Sequence, residues 1–110
     1  MARVRTLLAA DADIEHALLY TLRTYGVRKY DDYGALIQEA LERLAADPEA
    51  GRNRQDIDPG AWTLHIAKPG RAARHLLMYR IVSDDLVEVL ALAYDAMDLP
   101  RRWRARSGTP

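Results

Sequence analysis

Residues 74–82 read Arg-His-Leu-Leu-Met-Tyr-Arg-Ile-Val, "RHLLMYRIV". Successive side chains of an extended segment point to opposite faces. Arg74, Leu76, Met78, Arg80 and Val82 therefore share one face, and His75, Leu77, Tyr79 and Ile81 the other. Both faces are apolar in the middle, the pattern of a strand covered on both sides. Such a strand belongs at the centre of a sheet, with its charged residues near the ends.

Its neighbours supply the rest of that sheet. Upstream, "WTLHI" (62–66) puts Trp62, Leu64 and Ile66 on one face and Thr63 and His65 on the other, as in a half-buried strand. "AKPGRA" follows, a turn carrying Pro69 and Gly70. Downstream, a short "SDD" turn leads to "LVEVLALA", Leu86–Ala93, another mostly apolar strand. Strands in this succession pair as an antiparallel meander, with residues 74–82 in the middle.

Toward the N-terminus the apolar period changes. Ile14, Ala17, Leu18, Thr21, Leu22 and Tyr25 follow one helical face, with Asp11 or Asp13 placed to cap its start and Gly26 to end it. Tyr30, Tyr33, Ile37, Ala40, Leu41 and Leu44 repeat the spacing until Pro48 and Gly51. The short connection makes the two helices an antiparallel hairpin with an acidic outer face. The tyrosines of these stripes read as core packing. Gly34 costs about 1 kcal/mol relative to alanine, which a close contact there would explain. Before the hairpin, Arg3–Leu8 contains "VRTLL", a short strand. The order implies an α+β fold: an N-terminal strand, an antiparallel helical hairpin, a three-stranded antiparallel meander and a C-terminal segment.

At 110 residues and 49% apolar content, the chain has the size of a single domain spanning 1–110. It has no cysteine, which excludes disulfide staples and Cys-rich zinc sites, and nothing in the sequence asks for a cofactor or metal. No stretch approaches the roughly 18 apolar residues of a membrane helix. The apolar run at the start stops at Asp11, too early for a secretory leader, so the expected location is the cytoplasm. A net charge of zero hides an asymmetry. Residues 11–50 hold nine Asp/Glu against four Arg/Lys, whereas the last ten hold four Arg and no acid. The neutral body is a poor scaffold for binding nucleic-acid backbone. Residues 100–110, "PRRWRARSGTP", read as a flexible basic tail.

Together these segments resemble the RelE/ParE superfamily of type II toxin–antitoxin toxins, and more closely its ParE branch. The resemblance runs in order over nearly the whole chain. Ala10-Asp11-Ala12-Asp13-Ile14 is similar to the family's A-x-x-D-[LI], followed by "YTLRTYG" at Tyr20–Gly26. "LERLAADPEAG" is similar to L-x-x-L-A-x-x-P-x-x-G, "RHLLMYRI" to R-H-x-[IVL]-x-Y-[RK]-[IV], and "AYDAMDLPRRW" to L-H-x-x-M-D-x-x-x-x-[LW]. Each piece alone is weak and the ordered set is fairly specific. Ala91 and Tyr94 depart from the pattern, standing where the family has Arg and His.

The resemblance implies a small toxin neutralised by an adjacent-gene antitoxin of the ParD-like, ribbon-helix-helix kind, touching DNA only through that antitoxin. ParE-like members act on DNA gyrase; RelE-like members cut messenger RNA on the ribosome. A nuclease needs cations to stabilise a pentacovalent phosphate and groups to move protons. The residues available for that are His65, Arg74, His75, Arg80 and Tyr94, in a region (61–100) with four Arg/Lys and five Asp/Glu. That balance ranks the nuclease second, a degenerate toxin that keeps only antitoxin binding third, and the gyrase-directed toxin first. For the latter no residue is assigned a catalytic role. Arg74 and Arg80, about 20 Å apart along the strand, flank Leu76 and Met78 and form the expected antitoxin seat. Alternatively, Arg80 pairs with Asp95 or Asp98 and ties down the C-terminal segment. Contacts to the target are expected from Tyr94, Met97, Arg101, Arg102, Trp103 and Arg104, with the Arg/Trp composition of an interface hot spot. Truncation after Pro100 is then expected to lower toxicity and spare the fold.

Overall fold

The computed structural model describes residues 1–67 and 74–108. The expected turn at Pro69 and Gly70 lies outside them. Among the described residues five strands form one sheet: β1 (Arg3–Thr6), β2 (Arg52–Asn53), β3 (Trp62–His65), β4 (His75–Ser83) and β5 (Leu86–Tyr94). Their order is β1-β5-β4-β3-β2. The meander β3-β4-β5 is antiparallel with β4 central, as its two apolar faces require. β1 pairs parallel with β5 on the far side, and β2 is a two-residue edge strand that sequence reading did not anticipate.

Helices α1 (Leu8–Tyr25) and α2 (Val27–Ala46) form the hairpin. One residue connects them. Gly26 has φ +90° and serves both as C-cap of α1 and as N-cap of α2, a backbone geometry that side chains disfavour. α1 starts earlier than its apolar stripe suggests, at Leu8, and no side chain caps it. The expectation that Asp11 or Asp13 caps the helix is therefore wrong, because both lie inside the helix. Gly34 is not crowded, since an added Cβ would meet only Leu18 at 3.9 Å.

The hairpin covers one face of the sheet. Ile37, Ala40 and Leu44 of α2 bury against Leu64, Leu77, Tyr79, Val87, Val89 and Leu92, and Tyr33 packs partly against the same cluster. Tyr25, assigned to the inner stripe of α1, is instead 63% exposed. The stripe runs out at the end of the helix, past the sheet.

The other face is covered by the segment expected to be a flexible tail. Residues Leu99–Ser107 form a third helix, α3, lying on the sheet. Asp98 caps it by accepting a hydrogen bond from the Arg101 N–H at 3.1 Å, Pro100 occupies its first turn, and Gly108 at φ +74° ends it. Arg104 and Arg106 sit in its last turn, where the helix dipole favours cations. Leu99 and Trp103, four residues apart, point the same way and bury with Ala61, Leu76, Met78, Leu90, Ala91 and Ala93. Thr63, assigned to a polar face, is buried on this side as well. Burial of the Trp103 ring, which the charge count of the tail obscures, is what orders the segment.

A bulge shapes this second face. Met78 pairs with Ala91 and Tyr79 with Val89, so Leu90 is an extra residue in β5, and both Leu90 and Ala91 turn toward α3. β1 ends opposite Val89, which leaves the edge of β5 open beyond that point. Two side chains close it. Arg106 donates to the Leu90 carbonyl at 2.9 Å, Asp13 accepts from the Leu92 N–H at 3.1 Å, and the two pair with each other at 2.9 Å. Asp13 thus caps a strand edge rather than a helix.

Candidate functional site

At the end of the sheet where β3 and β5 finish and β4 begins, the strands pass beneath α1 and α2. Register sets His75 beside Tyr94 across β4 and β5, with ring centres 4.4 Å apart. Tyr33 reaches from α2 to His75 as well, edge to face, with ring centres 5.3 Å apart. Tyr20 and Tyr25, 6.4 Å from each other, stand on α1 above them. The rings border an open cleft of about 720 Å³ floored by Ile66, Ala67 and Leu36. Its polar rim is Lys29, Asp32 and Arg74. A second hollow of about 260 Å³ shares Ala17, Tyr20 and Tyr94 with the first and continues to His16, Met97 and Arg102.

Burial sets the electrostatics of this cluster. It pushes the His75 imidazole below the usual histidine range, so the ring is neutral near pH 7. The Tyr33 phenol is pushed well above its ordinary range, chiefly by burial and further by Tyr94, so it stays protonated. Its oxygen is buried and has no hydrogen-bond partner among the described residues. A buried hydroxyl of this kind costs free energy until something accepts from it.

The five residues considered for a nuclease do not assemble. Arg74, His75 and Tyr94 share the cleft. His65 lies nearby, with Nε2 2.8 Å from the Asp95 carboxylate. Arg80 is elsewhere on the sheet: it donates through Nε (2.8 Å) and Nη2 to Glu88 and through Nη1 to the Ser107 carbonyl at 3.4 Å. Its partner is thus neither Asp95 nor Asp98, since Asp95 meets His65 and Asp98 caps α3. Glu88, 4% exposed, also accepts from Arg5 Nε and Nη2 at 2.9 and 2.7 Å. The result is an Arg5–Glu88–Arg80 ladder across β1, β5 and β4. Burial alone would raise the Glu88 carboxyl, but the hydrogen bonds and charges of Arg80 and Arg5 outweigh it and hold the group below the usual carboxylate range.

The expected antitoxin seat is also altered. Leu76 and Met78 are 0% exposed because α3 lies over them, while Arg74 remains exposed and Arg80 partly so. Among the residues expected to meet a target, Trp103 is 3% exposed and holds α3 down rather than facing outward. Arg101 and Arg104 are exposed, and Arg102 is half-buried with Nη2 3.9 Å from the Met97 sulfur. Tyr94 is 43% exposed. Ala91, standing where the resembled pattern has Arg, is completely buried under α3, where a guanidinium would find no water. Sequence reasoning missed Lys29, Tyr20 and Tyr33 as cleft residues, and Asp13, Glu88 and Arg106 as charge anchors. The one available signal was the crowding of tyrosines at positions 20, 25, 30 and 33.

A five-stranded sheet with a helical hairpin on one face and a short C-terminal helix on the other defines a class of small α+β domain. Toxin ParE1 from two strains of Mycobacterium tuberculosis is 31% identical over 93 residues, covering 84% of this chain and 89% of the relative. A solved structure described as "Chromosomal ParDE TA system from P. aeruginosa" shares the fold with a TM-score of 0.66 at 21% identity, over 86% of this chain and 96% of that one. The family model for the ParE toxin of the type II toxin–antitoxin system parDE matches residues 4–99. The chain belongs to the ParE toxin family of type II toxin–antitoxin systems. α3 lies almost wholly beyond the matched residues.

Proposed function

We propose that this ParE-family toxin acts in the cytoplasm on DNA gyrase and is neutralised by a ParD-like, ribbon-helix-helix antitoxin. Family membership over residues 4–99 carries the reading. A partner is also suggested by the solved P. aeruginosa structure that shares the fold, which is described as a ParDE system. The target contact is assigned to α3. Arg101 and Arg104 are exposed one helical turn apart, the helix contains no acid, and it is held against the sheet by Trp103 and by Arg106 on Asp13. An ordered basic helix loses less conformational entropy on binding than a tail does. For the antitoxin, Arg74 and the exposed flank of Arg80 offer donors for carboxylates.

A ribosome-dependent mRNA endonuclease remains the second reading, because Arg74, His75 and Tyr94 do share one cleft. Engagement of Arg80 by Glu88 and of His65 by Asp95 removes two groups from that constellation. Induced expression followed by assays for gyrase-linked DNA breaks and for ribosome-bound mRNA cuts separates the two. The expected result is DNA breaks that disappear in Arg101→Glu/Arg104→Glu and on co-expression of the adjacent antitoxin. mRNA cuts without DNA breaks overturn it.

A further inference from the structure

Four of the six tyrosines in the chain line the larger cleft described above, and two of them, Tyr20 and Tyr25, are 62% and 63% exposed. Exposed rings at that level contribute little to the core, and here they converge on a concave surface instead of scattering. Among the described residues, Lys29 and Arg74 supply cations around them and Asp32 a carboxylate. Beneath them lies the buried Tyr33 hydroxyl, without a hydrogen-bond partner among the described residues.

We propose that this cleft is a nucleotide-binding site, taking a base between its rings and the attached phosphate on Arg74 and Lys29. The volume, about 720 Å³, falls within the range of sites that enclose a small ligand. Tyrosine and neutral imidazole faces stack on any base, which gives affinity without sequence preference. Guanidinium and ammonium groups supply charge-assisted bonds to phosphate oxygens. Asp32 can accept from a ribose hydroxyl or an exocyclic amine. The adjoining hollow shares Tyr20 and Tyr94 and is lined beyond them by His16, Arg102 and the Asp13 carboxylate, whose charge Arg106 pairs. Its position suits the next phosphate of a strand. The ligand is thus a nucleotide unit, either free or within a single strand. The site is separate from the exposed face of α3, so the proposal does not depend on the choice of gyrase as target.

Titration of the purified full-length chain with the four ribonucleoside monophosphates, with adenosine, with inorganic phosphate and with short single-stranded DNA and RNA tests this. Backbone amide NMR locates the response. Saturable binding of a monophosphate is expected, with shifts centred on Tyr33, His75 and Tyr94. Adenosine and phosphate should each bind at least about tenfold more weakly, because each lacks one half of the contact. Tyr20→Ala, which removes an exposed ring, should weaken binding about tenfold, and Arg74→Ala should do the same. Arg104→Ala, on the exposed face of α3, should leave binding unchanged. An oligonucleotide binding more than about tenfold tighter than the monophosphate assigns the site to a strand; equal affinities assign it to the free nucleotide. No saturable binding by any nucleotide, or binding untouched by Tyr20→Ala and Arg74→Ala, overturns the proposal and leaves the rings as a protein-docking surface.

Discussion

Replacing Trp103 tests whether α3 is part of the folded domain or an appendage. The ring is 3% exposed. A tryptophan buries about 200 Å², which at about 25 cal/mol/Å² corresponds to about 5 kcal/mol. A compact unfolded chain lowers that figure, so Trp103→Ala is expected to cost about 4 kcal/mol. A helix of nine residues cannot persist without its docking contacts. Leu76, Met78 and Leu90 then become exposed with it. At about 4 °C per kcal/mol for a domain of this length, the melting temperature should fall by roughly 15 °C. Trp103→Phe should behave differently. The indole Nε1 is buried with no partner among the described residues, so phenylalanine removes an unsatisfied donor worth about 1–3 kcal/mol while giving up part of the ring contact. The two effects nearly cancel, and a change within about 1 kcal/mol is expected. Urea denaturation of the three proteins, analysed for midpoint and slope, measures both. A Phe variant as damaged as the Ala variant would show that the indole N–H is satisfied. An Ala variant within about 0.5 kcal/mol of the parent would show that α3 is not docked at all. Cutting after Pro100 would likewise uncover the apolar face under α3, so lost toxicity in that protein would report lost folding.

Other perturbations follow from individual contacts. Glu88→Gln leaves Arg5 and Arg80 sharing a neutral group, and should cost about 2–3 kcal/mol at pH 7. Because the Glu88 carboxyl is depressed in the fold, its contribution is present above the unfolded value near pH 4.3 and lost as pH falls through the folded one. The penalty of the variant should therefore shrink in acid, and a constant gap from pH 7 to pH 3 by chemical denaturation would contradict the ladder. His75 has a lowered folded pKa through burial, so stability declines as pH drops below about 6.5, toward the folded value. His75→Gln should flatten that slope, and an unchanged slope would assign it to another group. Gly51→Ala would drive a Cβ into the Thr63 carbonyl and to 2.6 Å from the Tyr79 hydroxyl. That hydroxyl accepts from the Gly51 N–H at 3.1 Å and donates to Pro48 O at 2.8 Å. A loss of about 2 kcal/mol is expected, and a neutral variant in a thermal melt would show that the 48–51 segment yields.

The central strand was legible in the sequence because burial on two faces leaves a local mark, an apolar middle in both alternating sets. The hairpin was legible for a similar reason, with Gly26 ending one helix and opening the next. What escaped is non-local. The parallel pairing of β1 with β5 joins residues about 83 positions apart, and no short window records it. The role of Asp13 depends on where β1 stops and on an arginine 93 residues away. α3 is a different case, because its signals were present: Asp98 before Leu-Pro, Leu99 and Trp103 at i and i+4, and Gly108 at the end. Four arginines around one tryptophan masked them, since composition weighs charge and ignores which way a single large ring points. Arg74, His75 and Tyr94 were named as candidates and do come together. Their tyrosine companions were not, because a ring at helical spacing reads as core whether the helix end lies over the sheet or beyond it.

That last distinction explains where the cleft arises. α1 and α2 pack on the sheet through Ile14, Leu18, Ile37 and Leu44, and their apolar stripes continue past the point where β3 and β5 end. Past it there is no sheet left to cover, so the rings continuing the stripe stand over an opening instead of a core. Folding contributes only part of their burial. Leucine or alanine at positions 20 and 25 would close the hairpin equally well, since both sites face solvent for more than half their surface. On the nucleotide proposal a large polar-tipped ring there serves the ligand, whereas Tyr33, half-buried against His75, serves the fold and the opening together. Substitutions at Tyr20 or Tyr25 should for this reason separate binding from stability, and the same change at Tyr33 should move both.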